Sequence, residues 1–462
     1  MRNELEQRPV LAVAFGLLVG AATPQHIVVA AFLLVALWAA RPLGSRAAML
    51  AAFCVGYAIG PRGVAATSFE RQYVQYDCRV ATVPRLYDFG SSCEVVLESG
   101  DRLRLDWGGE PEVVLGDRLR VRGLLLPVRE GMETFSGLRN IRGTLRARAA
   151  GVQVLERGSA AAAWASLWRK EFVSHTARTL SPRAAEIVDA LCFNVDSRLD
   201  QRYRDNLQRT GTTHIVSASG LHVFILAFAL QAALALLPIP RWAQLILLGC
   251  VLAAYAGATG LRPPVVRAAS MAFVLAGAYL FRREADLLCA LGGAAAAYLL
   301  WQPDSVYDIG FQLSFLTVGA LALCCRFSDG TPRKPVARLK SQVKDVSKAS
   351  LVASAASAPL VAYHFGVVSL VSVLANVLIA LVLAPIIVTS LLSLACWPVF
   401  DEVSLGLMRV IVEPLAGWVL WVVETLGPLS VSALSVPEFS PFWLVPIYAP
   451  FLLLWRWRAR PA

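Results

Sequence analysis

The chain has 462 residues, of which 57% are hydrophobic and only 16% charged, and its formal net charge is +11. An average soluble domain carries about 25% charged residues, and here the 52 residues from Ala349 to Phe400 carry no formal charge at all. This excludes an ordinary soluble protein, and the basic excess reads first as the positive-inside bias of cytoplasmic loops rather than as a nucleic-acid footprint.

Three short apolar segments open the chain, at about Val10–Ala22, Ile27–Ala40 and Ala47–Gly60, with Arg41 and Arg46 between the second and third. The first has no clear small-residue cleavage site. With the amino terminus inside, the two arginines are cytoplasmic and the chain emerges outside after Gly60.

Residues 67–157 differ sharply, with 14 Arg, 13 acids and no Lys. In "GDRLRLDW", Leu103, Leu105 and Trp107 alternate with Arg102, Arg104 and Asp106. "GDRLRV" repeats the opening, setting Leu119 and Val121 inward and Arg118, Arg120 and Arg122 outward. Alternation with period two between Gly and Pro turns predicts a small antiparallel sheet or barrel, and about 90 residues suit an OB-like one. Cys78 and Cys93 flank the turn "VPRLYDFGSS". An oxidising compartment and a two-strand spacing favour a disulfide between them; the alternative is two unpaired core cysteines.

From Ala160 to Asn194 the pattern turns helical but stays too charged to span. Trp164, Leu167, Trp168 and Phe172 form one apolar face with Arg169 and Lys170 expected among headgroups, and Ser181-Pro182 reads as a helix start. Apolar spans follow at about 214–238, 242–260, 264–281, 285–301, 306–325, 349–366, 368–398, 404–427 and 440–457. Counted from outside, these put Arg241, Arg282, Arg283, a basic loop at 326–348 and the terminal "RWRAR" all on the cytoplasmic side. Pro385 is a candidate break. The expected fold is a polytopic α-helical membrane protein with an inserted extracytoplasmic small β-barrel (OB-like) domain. Its expected parts are amino-terminal transmembrane segments (1–62), the β-domain (63–158), amphipathic or interfacial helices (159–212) and a transmembrane domain (213–462).

Polar residues within the apolar half mark candidate function, because such groups are expensive at membrane depth. "HIVSASGLH" supplies His214, Ser217, Ser219, Gly220 and His222; "LRPPVVRAASM" supplies Arg262 and Arg267; "DIGFQLSF" supplies Asp308 and Gln312; "YHFG" supplies His364; and Asn376 follows. His214 and His222 lie about 12 Å apart on an ideal helix, too far to chelate one metal. Ser219-Gly220 suggests a broken helix whose free N–H groups face a polar or anionic passenger; the alternative is helix–helix packing with satisfied polar groups.

Together these motifs resemble the ComEC-type competence proteins, the inner-membrane channels for DNA uptake in bacteria. The resemblance covers nearly the whole chain, including the barrel with its paired cysteines. It implies a non-enzymatic channel for single-stranded DNA in the bacterial inner membrane, with the residues just named along the pore and no cofactor. The implied partners are a DNA receptor on the outer side, a cytosolic helicase, translocase or single-strand-binding protein, a separate nuclease, and further copies of the chain. Many family members continue into a metallo-β-lactamase-like domain. This chain has five dispersed histidines and no H-x-H-x-D-H cluster, so the expectation is a form without its own nuclease or any metal site. Two rivals remain: an intramembrane serine hydrolase using Ser219, and a small-solute secondary transporter, which predicts inverted repeats of broken helices.

Overall fold

The computed structural model describes residues 71–87, 90–108, 112–127, 141–195, 199–216, 219–281, 287–301, 308–325 and 335–440, together with 443, 444 and 446–448. The amino-terminal segments, Ser217 and the terminal "RWRAR" lie outside the described residues.

The alternating region forms six strands: β1 (Gln72–Val80), β2 (Arg85–Tyr87), β3 (Gly90–Leu97), β4 (Arg102–Trp107), β5 (Arg118–Leu126) and β6 (Ile141–Glu156). Their order is β1-β5-β6-β4-β3-β2, and an additional β1–β3 pairing closes five of them into a barrel with β2 appended. All pairs are antiparallel except β4–β6. The expected inward set is the observed one. Leu103, Leu105, Leu119, Val121, Leu125 and Leu145 are all fully buried and Trp107 nearly so, each contributing roughly 1.5–3 kcal/mol. A side chain on Gly123 would meet Arg146 O at 2.5 Å, so glycine lets β5 and β6 approach at the corner where their register shifts.

The barrel also contains a buried acid. Asp117 is fully buried; it accepts from Val114 N (2.9 Å), Gly158 N (2.7 Å) and Arg157 Nη1 (3.2 Å), tying the entry of β5 to the exit of β6. At the surface Arg120 donates twice to Asp77, at 2.8 Å each. That hydrogen bond holds the Asp77 carboxyl below its ordinary value.

The expected disulfide is not present: Cys78 and Cys93 are free, buried thiols. The ladder register explains why. Cys78 stands across from Leu97, four residues along β3 from Cys93, or roughly 13 Å at strand rise. A disulfide needs Cα atoms within about 7 Å. Both thiols serve as small core residues, and burial pushes that of Cys78 up to about 12 and that of Cys93 upward as well.

Beyond the barrel the described chain is helical: α1 (Ala160–Thr179), α2 (Pro182–Phe193), α3 (Gln201–Thr210), α4 (Thr213–Val216), α5 (Gly220–Leu234), α6 (Arg241–Ala258), α7 (Pro263–Leu280), α8 (Leu287–Trp301), α9 (Ile309–Cys324), α10 (Pro335–Phe365), α11 (Ser372–Cys396), α12 (Asp401–Leu407) and α13 (Glu413–Leu426), with a π-helical turn at Met408–Val412. Among the described residues three stretches are long and apolar enough to cross a membrane, Arg241–Ala258, Ser372–Cys396 and Asp401–Leu426, and shorter apolar helices accompany them.

Four expectations change. The span expected at 214–238 is divided between α4 and α5. The basic segment is helical from Pro335 onward rather than a loop, running into α10. Pro385 does not break α11, which continues through it. A small antiparallel pair, β7 (Val367–Ser369) with β8 (Ala433–Ser435), precedes α11 where a span was expected from residue 368.

One apolar core joins α2, α3, α11 and α13, with Phe172 of α1 inserted; a second joins α5, α6 and α7. Ser181 caps α2 as expected in position, and its hydroxyl and N–H both go to Glu413 at 2.6 and 3.0 Å. On α1, Trp164 and Trp168 are exposed and stacked at 4.9 Å. Arg169 and Lys170 bond the barrel, at Pro84 O (2.9 Å) and Glu112. The barrel's Val83 also rests on the α6–α7 turn. A Cβ on Gly260, whose φ is +92°, would lie 3.3 Å from that of Val83.

Candidate functional site

The motif residues gather at one end of the helices rather than along their length. Ser219, Gly220 and His222 form the cap and first turn of α5. Arg262 caps α7 and Arg267 follows in its second turn. Asp308 caps α9, accepting from Phe311 N at 2.9 Å, and Gln312 lies one turn on. Asn376 sits in the second turn of α11, and His364 in the last turn of α10.

Contacts fix these ends against one another. A Cβ on Gly220 would lie 3.4 Å from that of Ala268 on α7, and one on Gly310 would lie 3.9 Å from Pro264. Gly211, immediately before α4, abuts Ser369 and Ser372 at the start of α11; a Cβ there would meet their own at 3.0 and 2.9 Å. Glycine at 211 (φ +69°) permits both the left-handed turn and the approach. The barrel contact at Gly260 adjoins Arg262, so the barrel is seated at this same end.

Within the layer the polar groups differ in satisfaction. His214, on α4, is exposed. His222 is fully buried; its Nδ1 accepts from the backbone N–H of Ser219 at 3.0 Å, and its Nε2 has no partner among the described residues. The imidazole therefore caps the helix and is not set to activate the Ser219 hydroxyl, which counts against a serine hydrolase here.

Arg267 is 2% exposed. Its guanidinium lies 5.2–5.6 Å from the rings of Phe311, Phe315 and Tyr298 and donates to Gly310 O at 2.8 Å. Its Nε and Nη1 have no partner among the described residues. Cation–π contacts on three rings offset part of its desolvation and lock α7 to α8 and α9. Asn376 is half-buried with its Oδ1 unpartnered. Arg262, Asp308 and Gln312 are half-buried, and His364 is exposed at the edge.

Sequence reasoning missed a second cluster. His175 Nε2 lies 2.9 Å from Ser393 Oγ and 3.2 Å from Ser404 Oγ, and the two hydroxyls are 2.8 Å apart. All three are at most 1% exposed, and each hydroxyl also reaches the other residue's carbonyl at 3.1 Å. This is a polar staple joining α1 to α11 and α12. Its members stand 218 and 229 residues from His175 in sequence, outside any motif, so no local signal pairs them.

The family model described as "Competence protein" matches residues 191–461, more than half of the chain. The chain belongs to the competence protein family. ComE operon protein 3 of Bacillus subtilis (strain 168) is 31% identical over 210 residues, 46% of this chain and 26% of that protein. An uncharacterized protein of Aquifex aeolicus (strain VF5) is 32% identical over 193 residues, 41% of this chain and 43% of its own length. The matched part thus spans less than half of either relative. No solved structure matches the chain.

Proposed function

We propose that the protein is a multi-pass inner-membrane channel that admits single-stranded DNA during uptake, with the barrel outside and the polar layer at the channel mouth. The observation that carries this reading is the convergence of the motif residues of α5, α7, α9 and α11 at the end where Val83 of the barrel meets Gly260. Family membership supports a role in competence. The five-strand closure with its appended β2 supports the OB-like reading of residues 63–158.

A phosphodiester passing an apolar bundle needs cationic or N–H donor groups and weak, multiple contacts. The first turn of α5, with His222, and Arg267 in the second turn of α7 hold donors unbonded among the described residues and supply that chemistry, and the amino terminus of α5 favours anions. His214, Ser217, Ser219, Gly220, Arg262, Asp308, Gln312, His364 and Asn376 complete the proposed path. With its histidines dispersed at 26, 175, 214, 222 and 364, the chain is assigned no metal or hydrolytic step. Driving force is assigned to a partner, a cytosolic helicase or translocase. The test is import of labelled DNA into a deletion strain carrying wild type or His222→Ala at matched membrane levels. Loss of protected cytoplasmic label in both the deletion and the variant supports the channel; undiminished import in the deletion refutes it.

A further inference from the structure

The outer face of β1, β5 and β6 carries an arginine cluster beside one exposed ring. Tyr73 is 77% exposed. The ladder sets it across from Leu124, and Leu124 across from Arg146. In the next row Arg122 stands across from Gln75 and bonds its side-chain oxygen; Arg148 follows Arg146 on β6. Arg122, Arg146 and Arg148 are all exposed, and among the described residues none pairs with a carboxylate.

Several other barrel arginines are held by acids, although exposed Arg71 and Arg79 have no carboxylate partner among the described residues. Arg120 is held by Asp77, and Arg118 by Glu98 and Glu156. On the β3–β4 face, Glu94 stands opposite Arg104, which pairs with Asp106 at 3.0 Å. That is the face five-stranded Greek-key barrels commonly offer to single strands, and here its charges are balanced.

The position of the cluster selects its partner. Arg79 marks the helix-side end of β1, where it lines an open cavity of about 460 Å³ with Gly158, Ser159 and Ala162. Tyr73 is six residues away, roughly 20 Å at strand rise. The cluster therefore points away from the described helices, among which α1 carries exposed tryptophans of the kind that suit a membrane interface. A surface with guanidinia unpaired by carboxylates at strand spacing and one stacking ring, set a strand's length from the tryptophans of α1, fits a single-stranded polyanion with π-faces.

We propose that Tyr73, Arg122, Arg146 and Arg148 form a single-stranded nucleic-acid docking surface on the β1–β5–β6 face, remote from the helix ends. The guanidinia take phosphates and Tyr73 stacks one base. This deepens the channel reading and rests on it for its role in uptake, while the binding itself stands separately.

The experiment uses the full chain in neutral-lipid nanodiscs, titrated with a fluorescein-labelled 20-mer of thymidylate across a salt series. Wild type should bind with a steep salt dependence. Replacing Arg122, Arg146 and Arg148 together by Gln should weaken binding at least tenfold in low salt. It should also flatten the log–log slope by about 2, from roughly 0.7 per lost single-strand phosphate contact. The matching Lys triple variant should keep the slope, and Tyr73→Ala should weaken binding roughly tenfold with the slope unchanged. Unaltered affinity and slope in the Gln variant overturn the proposal. So does a Gln variant that loses only its attraction to anionic-lipid vesicles, which makes the face a membrane contact. If import proves independent of this protein while the arginine-dependent slope persists, the docking surface stands and the channel reading alone falls.

Discussion

The barrel's buried acid and the helix-end layer meet burial in opposite ways, although the barrel core also leaves Trp107 Nε1 unbonded among the described residues. In the barrel Asp117 is fully buried and accepts three hydrogen bonds. At the helix ends His222 and Arg267 are as deeply buried yet keep unpartnered N–H groups, and Asn376 an unpartnered oxygen. Buried polar atoms are nearly always bonded, and leaving one unbonded costs about 1–3 kcal/mol. A satisfied acid explains itself as structure. Tyr203 Oη and Ser390 Oγ are unbonded as well among the described residues, but the unbonded groups at the helix ends are gathered at one end of an apolar bundle, which fits the proposed passage of a polar strand.

Four expected outcomes sharpen this contrast. The largest concerns the satisfied side: Asp117→Ala strands two backbone donors and should cost on the order of 4 kcal/mol, read as rapid proteolysis across residues 71–157 of the membrane-embedded protein. Next, Cys78 and Cys93 should resist maleimide in the native protein at pH 7.5 and react once it is unfolded, with unchanged mobility on non-reducing gels. Their raised thiol values and burial predict this; a disulfide-dependent mobility shift would revive the cross-link.

On the unsatisfied side, Ser219→Ala should leave import within about twofold, since the histidine is engaged by the backbone N–H. Full loss with normal protein levels would return a nucleophilic serine. The smallest effect is at Asp77. Its lowered value means that the Arg120 pair contributes above the carboxylate's ordinary range, near pH 4, and fades as pH falls through the lowered value. Barrel unfolding temperature should therefore be flat from pH 8 to 5 and drop only in acid, with a shallower drop in Asp77→Asn.

The sequence made the barrel legible and the layer only half so. Alternation writes Leu103, Leu105, Leu119 and Val121 inward without reference to any other strand. Register does not follow from spacing, and so the Cys78–Cys93 cross-link was expected where four residues of offset forbid it. Ser219-Gly220 announced the break before α5 correctly. Charge alone made a loop of residues 326–348, although helix propensity in "VARLKSQVKDVSKAS" carries α10 through the basic stretch. The His175 staple and the cage around Arg267 were invisible because each depends on helices far apart in the chain meeting.

The central claim is that the helix-end layer keeps its unsatisfied groups for the passenger, and Arg267→Met tests it most directly. The substitution keeps an unbranched side chain among the same three rings and removes the charge. Import of labelled DNA and thermal unfolding are measured together at matched membrane levels. The account predicts that import falls at least tenfold while stability stays within about 1 kcal/mol of wild type or rises, as apolar replacements of buried charges often do. Unchanged import, or a loss that merely tracks an unfolded protein, would contradict it.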